Sequence, residues 1–165
     1  MARVYLSLGS NMGDRAANIG RALKELGERG FRIARSSSLY ETEPVEVRDQ
    51  PWFLNSVAEG ETKMEPEELL EAALAVERLM GRERRVQKGP RVIDIDMLLY
   101  DGAVIHRPGL EIPHPRMAER RFVLAPMAEI APAAMHPVLK KTMATLLAET
   151  PDRSEVRRAP VEGSL

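Results

Sequence analysis

Residues 91–99 read Arg91-Val92-Ile93-Asp94-Ile95-Asp96-Met97-Leu98-Leu99, and residues 92–100 give the clearest strand pattern in the chain. Successive side chains of a strand point to opposite faces of the sheet, so Asp94 and Asp96 should share one face. Ile93, Ile95 and Met97 should then lie on the opposite, apolar face.

Two carboxylates on one face of a strand repel each other. Burying such a pair without a partner costs several kcal/mol for each charge. A divalent cation removes that cost, and magnesium is commonly held by one or two carboxylates together with substrate phosphates. We therefore predict that Asp94 and Asp96 bind magnesium. The alternative is a pair of exposed aspartates on an edge strand, although aspartate is depleted in strands.

Basic residues are concentrated on both sides of the aspartate pair along the chain. Guanidinium groups are suited to phosphate oxygens, so these residues indicate a polyphosphate substrate. The sequence has no Walker A motif, which excludes a P-loop enzyme. The alternative is a solvated basic surface without a ligand. The basic residues are Arg82, Arg84, Arg85, Lys88 and Arg91 in one group, and Arg116, Arg120 and Arg121 in the other.

The composition limits the class of protein further. The 165 residues suit a single domain, residues 1–165, with roughly the last dozen residues frayed. Cysteine is absent, so disulfides and thiolate chemistry are excluded and any metal must take oxygen or imidazole ligands. The net charge of -1 gives no global signature of nucleic-acid binding. The sequence has neither an apolar run of membrane-spanning length nor a signal segment, so we expect a cytoplasmic protein without a membrane partner, and we expect a monomer.

The order of predicted elements is β-α-β-β-α-β followed by additions, which indicates an α+β fold with a ferredoxin-like core. An added hairpin and C-terminal helices should follow the core, with Asp101-Gly102 as the hairpin turn. The predicted strands span residues 3–8, 31–40, 53–61, 92–100 and 104–106. The predicted helices span residues 15–28, 66–81, 115–129 and 142–149. Residues 41–51 and 82–90 are predicted loops that close over a bound substrate.

Several short motifs occur in an order and spacing that resemble one enzyme family, over roughly residues 2–135. The motifs are Gly9-Ser10-Asn11, Thr42, Pro44, Asn55, Gly89-Pro90-Arg91 with Asp94 and Asp96, Pro113-His114, and Arg120 with Phe122. The chain resembles the 6-hydroxymethyl-7,8-dihydropterin pyrophosphokinase family. The resemblance implies transfer of pyrophosphate from ATP to the hydroxymethyl group of 6-hydroxymethyl-7,8-dihydropterin, with release of AMP, in folate biosynthesis.

The resemblance also implies a role for each matching residue. Two magnesium ions would be held by Asp94 and Asp96. The catalytic residues would be Arg82, Arg91, Asp94, Asp96 and Arg120. The ATP-binding residues would be Glu77, Arg82, Arg84, Arg91, His114 and Arg120. The pterin-binding residues would be Gly9, Asn11, Thr42, Pro44, Val45, Phe53, Asn55, Asp94 and Phe122.

Two other functions remain open from the residues alone. A different magnesium-dependent phosphotransferase or nucleotidyltransferase could also use an Asp-x-Asp strand, and it would release ADP or pyrophosphate in place of AMP. A ferredoxin-like regulatory module would bind a small ligand without turnover, and it has no need of paired aspartates beside a cluster of arginines.

Overall fold

The computed structural model describes residues 1–44, 49–81 and 91–160. The strands within these residues are β1 (Ala2–Ser10), β2 (Arg32–Ser36), β3 (Tyr40–Thr42), β4 (Phe53–Thr62), β5 (Asp94–Tyr100), β6 (Ile105–Arg107), β7 (Leu110–Ile112) and β8 (Val156–Arg158). The helices are α1 (Arg15–Glu28), α2 (Pro66–Leu79), α3 (Arg121–Ile130) and α4 (Met143–Glu149), with a 3-10 turn at Met117–Glu119. None of these helices is both long enough and apolar enough to span a membrane.

The main sheet has the strand order β5-β1-β4-β3-β8, and β2 also pairs with β4. The central strand pair is β1 with β4, which runs antiparallel from Ala2 opposite Thr62 to Ser10 opposite Leu54. Together with α1 and α2 these strands form the β-α-β-β-α-β arrangement. The predicted α+β fold with a ferredoxin-like core is therefore confirmed.

Helices α1 and α2 cover one face of the sheet. The side chain of Asp14 caps α1 by accepting a hydrogen bond of 3.1 Å from the N–H of Ala17. A capping box between Glu65 and Glu68 starts α2, with Pro66 in its first turn. The apolar residues of this layer include Val4, Leu6, Leu8, Leu26, Leu69, Val76, Ile93 and Ile95. Ile93 and Ile95 thus lie on the apolar face that strand alternation predicts.

The opposite face of the sheet is covered by α3 and α4 over part of its length. Tyr5 and Val57 of the sheet pack there against α3, in a cluster that includes Met117, Val123, Leu124, Met127 and Met143. The same sheet face continues beyond α3 towards Gly9 of β1 and Asn55 of β4. Within residues 1–44, 49–81 and 91–160 that end of the face opens into a pocket, and it forms the floor of the candidate site.

Two predicted elements are divided in the structure. The strand predicted over residues 31–40 forms two strands, β2 and β3, which are separated by residues 37–39. The chain then turns inward at Ser37, whose hydroxyl lies 3.1 Å from that of Ser56. The helix predicted over residues 115–129 forms the 3-10 turn and α3, because Arg120 between them has an extended backbone with φ -124 and ψ 102.

The predicted turn at Asp101-Gly102 does not close the added hairpin. Asp101 instead attaches to β1, since its backbone N–H donates to the carbonyl of Arg3 and its carboxylate accepts from the N–H of Arg3 at 2.9 Å. The hairpin consists of β6 and β7, and its turn contains Gly109 with φ +76, a conformation that favours glycine. The prediction of a hairpin is confirmed, whereas its predicted turn is wrong.

The C-terminal segment is more ordered than the sequence predicts. Residues 156–158 form strand β8, which pairs with β3 from Thr42 opposite Val156 to Tyr40 opposite Arg158. The prediction of fraying over the last dozen residues is wrong for this segment. Residues 161–165 and the predicted loop 82–90 lie outside the described residues, and so do residues 45–48 of the predicted loop 41–51.

Candidate functional site

A pocket opens at this end of the sheet, where β1 lies between β4 and β5. Gly9 of β1 is opposite Asn55 on one side and opposite Asp94 on the other. Ser7, two residues earlier, is opposite Asp96. The pocket encloses roughly 640 Å³ when the open solvent at its mouth is included. Its lining is formed by Ser7, Gly9, Thr42, Glu43, Pro44, Gln50, Phe53, Asn55, Arg91, Asp94, Asp96, Arg120 and Phe122.

Gly9 and Thr42 fix the position of the Asn55 side chain on the pocket floor. The Asn55 amide donates a hydrogen bond of 2.6 Å to the Thr42 hydroxyl, and both residues are buried. A Cβ atom at position 9 would lie 2.5 Å from Oδ1 of Asn55, so a larger residue would displace this amide. Glycine is therefore required at position 9, because the Asn55 side chain lies close to the β1 backbone there. The Asn55 amide is thus fixed in its position at the pocket.

The two aspartates and two arginines lie together on the β5 side of the pocket. Asp94 and Asp96 both line it, which agrees with the predicted sharing of one face. Asp94 forms an ion pair with Arg91, in which the guanidinium Nη1 lies 2.9 Å from Oδ2 of the carboxylate. Arg120 enters from the segment before α3. This side of the pocket thus combines oxygen ligands with guanidinium groups.

Apolar groups form the other side of the pocket. Phe53 at the start of β4, Phe122 in the first turn of α3 and Pro44 all line it. The guanidinium carbon of Arg120 lies 5.6 Å from the centre of the Phe122 ring, within cation–π range. A flat aromatic ligand can stack on such rings while its edge reaches the Asn55 amide.

Glu77 lies on α2 and supports the aspartate strand from its outer edge. Its carboxylate is buried, and Oε2 accepts a hydrogen bond of 2.8 Å from the backbone N–H of Ile95. Ile95 lies between the two aspartates, and β5 is the terminal strand of the sheet order. Glu77 therefore holds the backbone that carries both aspartates. It does not line the pocket in the described part of the chain.

His114 is held close to the charged side of the pocket by its backbone. Its N–H donates to the carbonyl of Leu98 at 3.0 Å, and its Nδ1 accepts from the N–H of Arg116 at 3.1 Å. Burial, and then the positive charge of Arg120, lower the pKa of His114 from 6.5 to about 4, while the charge of Asp94 acts in the opposite direction. The imidazole is therefore neutral at pH 7, with its proton on Nε2, where it can donate to a phosphate oxygen.

The donor set of this pocket fits magnesium. Both aspartates offer carboxylate oxygens from adjacent same-face positions of β5, and both line the same cavity. No group of three or more histidine, aspartate or glutamate side chains that could hold a metal occurs in residues 1–44, 49–81 and 91–160. Two carboxylates suit an ion that completes its coordination with substrate phosphates and water.

The sequence matches the model of the family described as 7,8-dihydro-6-hydroxymethylpterin-pyrophosphokinase (HPPK) over residues 5–132. This chain belongs to the HPPK family.

Curated relatives agree with the HPPK assignment. A Methylorubrum extorquens 2-amino-4-hydroxy-6-hydroxymethyldihydropteridine pyrophosphokinase is 47% identical over 80% of this chain and 84% of its own. The Aquifex aeolicus protein of the same name is 42% identical over 87% of this chain and 89% of its own. A Pneumocystis carinii folic acid synthesis protein is 40% identical over 86% of this chain, which spans only 19% of that longer protein.

Solved structures agree with the fold. A Plasmodium falciparum HPPK-DHPS crystal structure superposes with a TM-score of 0.73 at 17% identity, covering 90% of this chain and 45% of that one. At this identity the likeness establishes the fold alone. The assignment to the HPPK family therefore rests on the sequence matches.

Most of the residues that the family resemblance selected come together in the pocket. The selected residues that line it are Gly9, Thr42, Pro44, Phe53, Asn55, Arg91, Asp94, Asp96, Arg120 and Phe122. Glu77, His114 and Asn11 lie around it without lining it in the described part of the chain. Val45, Arg82 and Arg84 lie outside the described residues, so their predicted contacts remain predictions.

Three lining residues of this HPPK-family site were missed by the sequence analysis. Ser7, Glu43 and Gln50 line the pocket beside the selected residues. Strand alternation from Gly9 would have indicated Ser7, which is two residues earlier on β1 and so faces the same way. Glu43 and Gln50 lie in the predicted loop 41–51, where no periodic pattern indicates the direction of a side chain.

Proposed function

We propose that this chain transfers the β,γ-pyrophosphoryl group of ATP to the hydroxymethyl oxygen of 6-hydroxymethyl-7,8-dihydropterin and releases AMP. The observation that carries the proposal is the two-sided pocket. Paired aspartates and arginines lie on one side, and Asn55 lies with Phe53 and Phe122 on the other. The names of the relatives from Methylorubrum extorquens and Aquifex aeolicus, of which this chain covers 84% and 89%, support the same reaction.

Asp94 and Asp96 would hold magnesium, for which we propose two ions bound together with ATP. The ions would supply neutralisation of phosphate charge and polarisation of the reacting phosphorus. Arg91 and Arg120 line the same side and would bind phosphate oxygens directly. The ion pair with Asp94 holds the Arg91 guanidinium at this side of the pocket.

The pterin would occupy the other side of the pocket. The Asn55 amide would bind its polar edge, and the Phe53 and Phe122 rings would pack on its faces. In this placement the hydroxymethyl group would point towards the aspartate side. Its oxygen would then attack the β-phosphorus, the bond between that phosphorus and the oxygen bridging to the α-phosphorus would break, and the hydroxyl proton would be released. Catalysis would come mainly from positioning and charge stabilisation.

Product analysis tests this function. The purified protein is incubated with ATP, magnesium chloride and the reduced pterin, and the products are followed by phosphorus NMR. We expect AMP and a pterin diphosphate in equal amounts. Formation of ADP would favour a simple kinase, pyrophosphate release would favour a nucleotidyltransferase, and binding without turnover would favour a regulatory module.

We also infer that the chain acts as a single-domain cytoplasmic monomer. The described residues that line the pocket include Asp94 and Asp96 as well as Asn55, so this chain itself supplies the groups that the proposed reaction uses. Sedimentation analysis at the concentrations used for the activity assay would test the monomer.

A further inference from the structure

Asn11 follows β1 and joins three segments of the chain. It is 2% exposed. Its Nδ2 group donates to Oε1 of Gln50 at 2.9 Å and to the carbonyl of Pro51 at 3.1 Å. Its Oδ1 accepts from the backbone N–H of Arg91 at 2.7 Å, and its own N–H donates to the carbonyl of Arg91 at 3.0 Å. Both amide protons and the amide oxygen are therefore used within the protein.

The segments joined by Asn11 lead into the two sides of the pocket. Gln50 and Pro51 precede Phe53 and Asn55 on β4, which form the pterin side. Arg91 precedes Asp94 and is ion-paired with it on the phosphate side. Asn11 is thus a direct link between the starts of the strands that carry the two sides.

The contacts of Asn11 argue against a role in binding the pterin directly. A ligand hydrogen bond would have to replace one of the protein bonds already made by its buried carboxamide. Asn11 also does not line the pocket in the described part of the chain, whereas its partners Gln50 and Arg91 do. Its effect on a ligand must therefore pass through these neighbours.

We propose that Asn11 is a positioning residue that keeps the pterin side and the phosphate side of the pocket in register. This inference rests on the proposed pyrophosphoryl transfer. The reacting oxygen and phosphorus must approach within roughly 3–3.5 Å, and a displacement of about 1 Å can cost about a hundredfold in rate. Each side can still bind its own ligand when the link is lost, so the loss should fall on turnover.

The test compares three variants. Asn11→Ala removes the whole link. Asn11→Asp keeps an acceptor for the N–H of Arg91 and removes the donors to Gln50 and Pro51, so it serves as a second variant if alanine prevents folding. Asn18→Ala is the matched control, because the Asn18 amide also bonds to the turn after β1, at Ser10 and Met12, and reaches neither side of the pocket.

Four quantities are measured for each variant. They are the single-turnover rate of AMP formation, the separate dissociation constants of the pterin and of magnesium α,β-methylene-ATP, and the thermal midpoint. We expect both Asn11 variants to lose about 10- to 100-fold in rate while each dissociation constant changes less than about threefold. Asn18→Ala should stay within about twofold in rate.

Each other outcome overturns the inference. A lower thermal midpoint with an unchanged rate would make Asn11 a purely structural residue. A loss of affinity for one ligand as large as the loss of rate would make it a binding contact. A wild-type protein that releases no AMP would overturn the proposed function together with this inference, whereas an active wild type with unaffected Asn11 variants would overturn the inference alone.

Discussion

Two clusters of carboxylates and arginines lie at opposite ends of the same sheet face. At one end, Glu59 of β4 is 4% exposed and bonds to Arg35 at 2.7 Å and to Arg3. At the other end, Asp94 and Asp96 of β5 lie beside Arg91, and all three line an open pocket. Tyr5 and Val57, which pack under α3, separate the two ends.

The two clusters differ in their relation to the pocket. The Glu59 cluster does not line the pocket in the described part of the chain, and we call it the closed end, whereas the aspartate cluster lines the pocket. Burial alone would raise the pKa of Glu59, but the hydrogen bonds from Arg35 and Arg3 outweigh it and hold the pKa below its ordinary value of 4.5. In that cluster the buried carboxylate is already bonded to two guanidinium groups. The aspartate cluster instead places two carboxylates on one face of an open cavity. The same side-chain chemistry therefore neutralises a buried charge at one end and lines a pocket at the other.

The largest expected effect is a loss of turnover when an aspartate at the pocket end of the sheet face is replaced. Asp96→Asn and Asp94→Asn keep the side-chain shape and remove one charge each. We expect turnover to fall at least about a thousandfold, which corresponds to about 4 kcal/mol of transition-state stabilisation. Unfolding in urea should change little. Steady-state AMP formation at saturating magnesium is the measurement.

Glu59→Gln is the control for the aspartate variants, since it removes a charge from the other end of the same face. Its turnover should stay within about twofold of wild type, because it contacts no ligand. Near-normal turnover of both aspartate variants would contradict the magnesium site, and a large loss in Glu59→Gln would contradict the separation of the two ends.

A smaller effect is expected at the pterin side of the pocket. Asn55→Ala removes the amide held by Thr42 and should weaken pterin binding by about 1–3 kcal/mol, because a buried polar edge of the ligand loses its partner. Affinity for the ATP analogue should not change. Calorimetry with each ligand measures both values.

Ser56→Ala is the matched control for Asn55→Ala. Ser56 is the next residue of β4 and is equally buried, but its hydroxyl bonds to Ser37 away from the pocket. This variant should lose stability and retain pterin affinity. A defect of Asn55→Ala confined to the ATP analogue would place the pterin elsewhere.

The aspartate end could be predicted from the sequence because its pattern is local. Alternation within residues 92–100 is enough to place Asp94 and Asp96 on one face. The roles of other residues depend on distant partners. Asn11 bonds to residues 39, 40 and 80 positions away, and β8 pairs with a strand more than 100 residues earlier. A short run such as Val156–Arg158 has no periodicity that would indicate a strand before its partner is known.

A third prediction concerns the free energy of unfolding that the Glu59 cluster contributes at the closed end. Glu59→Gln should lower the free energy of unfolding by about 1–2 kcal/mol, since the buried side chain keeps its shape and loses charge-assisted bonds. Glu61→Gln is the matched control, because Glu61 is also a partner of Arg3 but is more exposed. Its effect should be within about 0.5 kcal/mol. Equal effects of the two substitutions in urea unfolding would show that burial of Glu59 contributes nothing.

The smallest expected effect is the pH dependence of the difference in unfolding free energy between wild type and Glu59→Gln. A carboxyl whose pKa is lowered by folding contributes stability that is present above its unfolded pKa, near 4.5, and is lost as the pH falls through its folded pKa. Glu59→Gln cannot gain this proton, so its stability should fall less steeply below about pH 4.5. The gap between wild type and variant should therefore narrow as the pH is lowered.

Other groups also titrate in the acid range, but they are shared by both proteins and cancel in the difference. The pKa of His114 is lowered to about 4, so its contribution to stability decreases from about pH 6.5 downwards in wild type and variant alike. Glu129, through its bonds from Tyr40 and Ser38, keeps a lowered pKa in both, although burial opposes the shift. Urea unfolding of wild type and Glu59→Gln at pH 7, 5, 4 and 3.5 measures the gap. A gap that stays constant across this series would mean that the arginines do not hold the Glu59 pKa down, and the closed end would then owe its stability to packing alone.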